Sequence, residues 1–202
     1  MARLGILGGT FDPIHLGHIR MAEEAYRQAD LDQVFFLPSK IPPHKRNQNI
    51  TAESYRAAMI KLAIQGKPQF AYSDFELQRE GITYTADTLR LLQEQNPKHV
   101  YSFILGGDSL FQLENWYHPE EIMSRVKILA ISRYGMGQEE IRDQVERLRQ
   151  NYQARIQVVE MPRMDISSSD IRDRVRQGDS LQGMVPDAVE KYIHNYSLYI
   201  EK

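Results

Sequence analysis

Gly8-Gly9-Thr10-Phe11-Asp12-Pro13-Ile14-His15-Leu16-Gly17-His18 is the stretch on which the fold turns. Before it, Arg3 to Leu7 is a short apolar segment; after it, Leu16 to Ala29 carries helix formers with no Pro or Gly beyond Gly17. The pattern predicts strand, tight turn, helix. Gly8 and Gly9 let backbone N–H groups approach a ligand closely, and the positive end of the following helix points at the same place, which favours an anion. The turn is therefore suited to phosphate, although neither GxGxxG nor GxxxxGK[ST] is present.

Outward from this turn, Gln33 to Leu37 reads as a second buried strand ended by Pro38, completing a right-handed βαβ unit. Ser39 to Ile50 has loop composition, and Thr51 is placed to cap a helix running to about Ile64. Strands are expected at Phe70 to Ser73, Val100 to Leu105, Lys127 to Ser132 and Ile156 to Glu160. Helices are expected at Ala86 to Asn96 behind Thr85, at about Gln138 to Asn151, at Ser167 to Gln177 and at Val185 to Asn195. Strands alternating with helices imply an α/β fold with a doubly wound parallel sheet. One domain over 1–202 is expected, with a small C-terminal helical extension from about 167. In such sheets ligands bind at the carboxyl ends of the strands, where the loops after Leu7, Leu37, Leu105, Ser132 and Glu160 converge.

Composition narrows the partners. The 202 residues are 42% hydrophobic and 26% charged, with a formal net charge of −2, and acids and bases are interspersed rather than in blocks. That argues against a nucleic-acid surface, so an anionic ligand must be gripped locally. Cysteine is absent, which excludes a disulfide framework or thiolate metal site. The opening residues are too short and glycine-broken for a signal peptide, and no run of about 18 apolar residues exists to span a membrane. A cytoplasmic protein without membrane contact is the expectation, and self-association stays open.

His15 and His18, three apart at the helix start, can face one pocket as zinc ligands, general bases or cationic phosphate clamps. Zinc lacks a third ligand of recognisable spacing. A base is unnecessary for a phosphate monoester nucleophile, whose second pKa of about 6 leaves it ionised at neutral pH. The clamp survives, because adjacent phosphate pulls imidazole toward its charged form. The bland alternative is a pair of ordinary helix-start residues.

The run Gly8 to His18 closely resembles the signature of the nucleotidyltransferase superfamily, with its HxGH element at His15, Leu16, Gly17 and His18. A second superfamily element, usually ISSTxIR, is matched by Ile166-Ser167-Ser168-Ser169-Asp170-Ile171-Arg172, with serine in place of threonine at 169. The resemblance implies a Rossmann-like nucleotidyltransferase fold. Ser167 and Ser168 can cap a helix and present hydroxyls, and Arg172 adds a fixed charge about a turn inward. Pro38 to Lys45, Gly81 to Leu89, Gly106-Gly107-Asp108-Ser109 and Asn115-Trp116-Tyr117 look like those of bacterial nicotinate-nucleotide adenylyltransferases. That family joins ATP to nicotinate mononucleotide, giving deamido-NAD and pyrophosphate in NAD biosynthesis.

The residues fit this acceptor on their own terms. A pyridinium ring carrying a carboxylate needs an aromatic face, for which Trp116 is the only tryptophan, and an anion grip. Tyr84 and Thr85 precede a helix whose first N–H groups can bind the carboxylate; Thr85 is otherwise a simple cap. Lys45, behind Pro42-Pro43, sits on a loop able to reach phosphate; His44 is a weaker candidate beside it. The resemblance further implies that Gly8, Gly9, Thr10, Phe11, His18, Gly106, Asp108, Arg133, Ser167, Ser168 and Arg172 serve ATP. It assigns Thr10, Asp12, His15, Lys45, Tyr84, Thr85, Trp116 and Tyr117 to the mononucleotide. Tyr134 stands where the family often has proline. Catalysis is expected of His15, His18, Lys45 and Arg172, with Mg²⁺ arriving on the ATP phosphates and no protein metal site. Competing readings are an adenylyltransferase for nicotinamide mononucleotide or phosphopantetheine, and a nucleotide-sensing binding module. A transfer-RNA-aminoacylating enzyme would need a longer chain.

Overall fold

The computed structural model describes residues 1–40, 50–133 and 137–200. Six parallel strands, β1 (Arg3–Gly9), β2 (Gln33–Pro38), β3 (Phe70–Tyr72), β4 (Val100–Gly106), β5 (Lys127–Arg133) and β6 (Ile156–Met161), form one sheet in the order β3-β2-β1-β4-β5-β6. The order reverses between β1 and β4, so the loops after these two strands leave in opposite directions and open a crevice at their carboxyl ends.

Both faces of the sheet are covered, which is why its strands read as continuous apolar runs. From β1, Leu4 and Ile6 enter the cluster shared with α3 (Thr85–Gln95), α5 (Pro119–Arg125) and α6 (Gln138–Tyr152). Leu7 faces the opposite cluster, built with α1 (Leu16–Gln28), α2 (Glu53–Ala63), α7 (Ser168–Gln177) and α8 (Asp187–Asn195). The short α4 (Gly107–Gln112) begins where β4 ends. In α1, Ile19, Ala22 and Ala25 bury one face at helical spacing. The same stripe in α2 contains Arg56, Met59, Ile60 and Ala63, so a charged residue occupies a core position.

The expected elements are present, with three informative shifts of boundary. Gly8 and Gly9 belong to β1, paired with Leu37 and Pro38, because the parallel ladder continues two residues past Leu7. The turn falls on Thr10 to His15, and its left-handed residue is Phe11, at φ 50°, rather than a glycine. Thr51 does not cap α2: Ala52 is at that position, and the Thr51 N–H and carbonyl are taken by Asp12 and Arg56. Thr85 is the first helical residue of α3, with Tyr84 at the N-cap.

Gly5 lies at the centre of β1, where a Cβ would meet Leu31 Cδ1 at 2.7 Å, Ile104 Cδ1 at 3.0 Å and Val34 Cγ2 at 3.2 Å. The absent side chain sets how closely this face packs. Gly5→Ala is expected to lower unfolding stability by about 1–3 kcal/mol, read as a lower urea midpoint at unchanged slope.

Candidate active site

The turn that joins β1 to α1 is held by its carbonyls. Arg56 Nη1 donates to Thr10 O at 2.7 Å, Arg172 Nη1 to Asp12 O at 2.7 Å, and Ser168 Oγ to Pro13 O at 2.9 Å. Buried carbonyls must be satisfied somewhere, and here three side chains from α2 and α7 do it. Arg56 is 1% exposed and also donates to Ser39 O at 2.9 Å and, through Nε, to Thr51 O at 2.9 Å. Burial pulls its guanidinium below the ordinary value, and the charges of Asp12 and Glu53 push back.

Asp12 is buried inside this frame. Its Oδ1 accepts the Tyr199 hydroxyl at 2.8 Å and its Oδ2 the Thr51 N–H at 3.1 Å. Each oxygen thus accepts one hydrogen bond from the protein. The next bond, Asp12–Pro13, is cis.

His15 and His18 do come together, with rings stacked at 3.7 Å between centroids. The His15 N–H donates to His18 Nδ1 at 3.3 Å. An Nδ1 that accepts leaves the proton of a neutral imidazole on Nε2. The stack brings both imidazoles together at the start of α1, as their three-residue spacing predicts. Gly17 makes the stack possible, because a Cβ there would lie 3.0 Å from the His15 ring. Phe11 closes the other side, edge-on to His18 at 5.0 Å, and Gly9 leaves room for the Phe11 ring, which a Cβ would approach to 3.1 Å.

On the far side of β1 a cavity of about 930 Å³ opens between β1, β4 and α3. Gly8, Gly9, Thr10, Tyr84, Thr85 and Trp116 line it, joined by Tyr117 and by the exposed Asp108 in the first turn of α4. Trp116 is half-buried and meets Phe103 in a T-shaped contact at 6.1 Å, so one part of the ring fills the core while another faces the cavity. Tyr84 and the exposed Tyr117 pair at 4.2 Å. No side chain caps α3 at Tyr84, so the first turn of that helix ends at the cavity. Gly106 is the N-cap of α4, beside the same crevice.

Ser167 caps α7, its Oγ accepting the Asp170 N–H at 3.1 Å. Ser168 and Arg172 are spent partly on the turn carbonyls, a structural duty that their resemblance to ligand-binding residues did not disclose. Lys45, with His44, lies outside the described residues, as do the Arg133 side chain and Tyr134. Among the described residues no group of three His, Cys, Asp or Glu side chains is arranged to hold a metal, and no helix is long and apolar enough to cross a membrane.

Sequence reasoning missed Arg56, Tyr199 and Glu76. Arg56 alone carried a signal, as a lone cation in an apolar helical stripe. Glu76 lines the cavity at 6% exposure, and its Oε1 accepts the Thr88 hydroxyl at 2.7 Å, itself bonded by Arg79 at 2.9 Å.

A strand-turn-helix at the reversal point of a parallel sheet is a geometry that nucleotidyltransferases share with other nucleotide-binding folds, and the family model "Cytidylyltransferase-like" matches residues 6–174, which places the chain in that nucleotidyltransferase class. A protein of Lachnoclostridium phytofermentans named "Probable nicotinate-nucleotide adenylyltransferase" is 42% identical over 200 residues, covering 99% of this chain and 100% of that one. One of Carboxydothermus hydrogenoformans with the same name is also 42% identical, covering 98% of each. The chain belongs to the nicotinate-nucleotide adenylyltransferase family. At the level of fold, Plasmodium falciparum nicotinic acid mononucleotide adenylyltransferase complexed with NaAD superimposes with a TM-score of 0.82 at 19% identity, covering 98% of both chains.

Burial raises the Glu76 carboxyl above its ordinary value, while the Thr88 and Thr83 hydroxyls and the Arg79 charge oppose the shift. A raised folded value means that the folded protein holds this proton after the unfolded chain has lost it. The stability tied to the protonated acid is complete below about pH 4 and is lost as pH rises through the folded value. Glu76→Gln, which keeps the shape without the charge, should therefore gain urea midpoint relative to the parent between about pH 4 and pH 8, checked by unfolding at both ends of that range.

Proposed function

We infer that the chain transfers the adenylyl group of ATP to nicotinate mononucleotide, giving nicotinate adenine dinucleotide and pyrophosphate in NAD biosynthesis. The observation that carries this reading is the continuity of two sites. A turn with its carbonyls held from behind runs directly into a cavity whose far wall is the uncapped start of α3 beside Tyr84 and Trp116.

The acceptor fits that wall. Its carboxylate sits at the first N–H groups of α3, from Thr85 onward, where the helix end favours an anion. Its cationic ring lies against Trp116, a contact worth about 0.5–2 kcal/mol. Asp108, at the mouth, accepts ribose hydroxyls. Selection of acid over amide follows from the N–H groups, which welcome a carboxylate oxygen and repel an amide NH₂.

The acceptor phosphate oxygen attacks the α-phosphorus of ATP in line, the new P–O bond forms, and the bond to the bridging oxygen breaks with its electron pair leaving on pyrophosphate. No covalent enzyme intermediate is needed. The turn N–H groups at Thr10 and Phe11 and the His18 Nε2–H meet the charge that grows on the α-phosphate. Lys45 and Arg172 add positive charge, with Gly8, Gly9 and the loop after Arg133 bounding the ATP side. Mg²⁺ travels with the ATP phosphates and offsets their charge; the described residues provide no cage of their own for it. A cytoplasmic setting accompanies this reading.

The experiment is a paired assay of pyrophosphate release with ATP, Mg²⁺ and either nicotinate or nicotinamide mononucleotide. The nicotinate form is expected to show the higher kcat/KM, and a preference for the amide would sink the assignment. In the same assay His18→Ala should lose at least about 10²–10³ in kcat while remaining folded by circular dichroism.

A further inference from the structure

Tyr199 follows α8, far in sequence from every motif above, yet its hydroxyl lies 2.8 Å from Asp12 Oδ1 in the turn after β1. Asp12 is 5% exposed, and its other oxygen is already taken by the Thr51 N–H. The segment that delivers the phenol adopts costly backbone. Ser197 and Tyr199 are both left-handed, at φ 49° and 67°, with no glycine to ease either position. Leu198 between them is buried, and its N–H donates to Ile193 O at 3.0 Å. Such strain persists only where the surroundings over-determine it, and it concentrates where a side chain must be aimed. Burial first, and then the Asp12 charge, push the Tyr199 phenol well above its ordinary range, so it stays a donor throughout the working pH range.

We infer that Tyr199 is a positioning residue of the adenylyl-transfer site: it holds Asp12, and through Asp12 the Thr10 to His18 turn, in the conformation that turnover requires. The inference rests on the reading of that turn as the reacting centre. Tyr199 does not line the cavity, so it acts through another residue rather than on substrate. The chain is arranged for this. Arg172 and Arg56 fix the carbonyls of Asp12 and Thr10, whereas the hydrogen bonds to the Asp12 side chain among the described residues come from Tyr199 and the Thr51 N–H, with the Arg56 charge nearby. Loss of the hydroxyl leaves a buried carboxylate oxygen unsatisfied and gives the turn a reason to move.

Two readouts on Tyr199→Phe test this. Amide hydrogen exchange from Thr10 to Gly17 should accelerate at least about tenfold, with β4 unchanged. In turnover, kcat should fall at least about tenfold while KM for each substrate stays within about threefold, the pattern of a displaced transition-state donor. A double-mutant cycle separates positioning from bulk stability. In an Asp12→Ala background, or Asp12→Asn if that protein does not fold, adding Tyr199→Phe should change kcat less than about twofold. Unchanged exchange in the turn, or a Tyr199→Phe loss that multiplies in full with that of Asp12, overturns the inference. A parent that fails to use nicotinate mononucleotide counts against the reaction assigned above, and the exchange measurement still decides on Tyr199.

Discussion

Three carbonyl oxygens, on Thr10, Asp12 and Pro13, are the constraint around which this structure is organised. A turn that offers N–H groups to a phosphate must direct its carbonyls elsewhere, and inside a protein those carbonyls need donors. Arg56 comes from the helix after β2, and Ser168 and Arg172 come from the start of α7. The loop therefore depends on elements that are distant in sequence. It also explains why a guanidinium stands at a core position of α2: its five N–H donors reach the carbonyls of Thr10, Ser39 and Thr51, three separate segments, where an apolar residue would reach none.

The sheet order makes this arrangement useful. The reversal between β1 and β4 places the held turn on one side and the cavity of Tyr84, Thr85 and Trp116 on the other, with Gly8 and Gly9 in between. Two glycines at the end of β1 keep that passage free of side chains. Gly17 performs a similar service at the second residue of α1, where its missing Cβ lets the His15 ring fold back onto His18. In that stack His18 Nδ1 accepts the His15 backbone N–H, which fixes the orientation of the His18 ring.

Much of this is legible in the residues. The alternation of apolar runs with helical stretches gives the parallel sheet, and the two superfamily elements mark the turn and the start of α7. What the sequence hides has physical causes. The end of β1 lies two residues beyond Leu7 because pairing with Leu37 and Pro38, a long-range property, extends it. Ser168 and Arg172 look like ligand-binding groups because hydroxyls and guanidinium serve carbonyls and phosphates with the same chemistry. Asp12 reads as a site carboxylate, and only the folded chain shows that Tyr199 and Thr51 also bond to it. Tyr199 itself has no local signature, since its importance comes from a left-handed backbone that no composition rule announces. Glu76 is hidden for a similar reason, standing between Phe75 and Leu77 in a segment without helical or strand period.

The central claim is that the turn meets phosphate with its N–H groups because its carbonyls are held from behind. A crystal structure of the complex with a non-hydrolysable ATP analogue tests it most directly. The account predicts the α-phosphate within hydrogen-bond distance of the Thr10 or Phe11 N–H and of His18 Nε2, with the Arg56, Ser168 and Arg172 bonds to the turn intact. Phosphates bound away from these groups, or a turn that releases those three bonds to receive them, would contradict it.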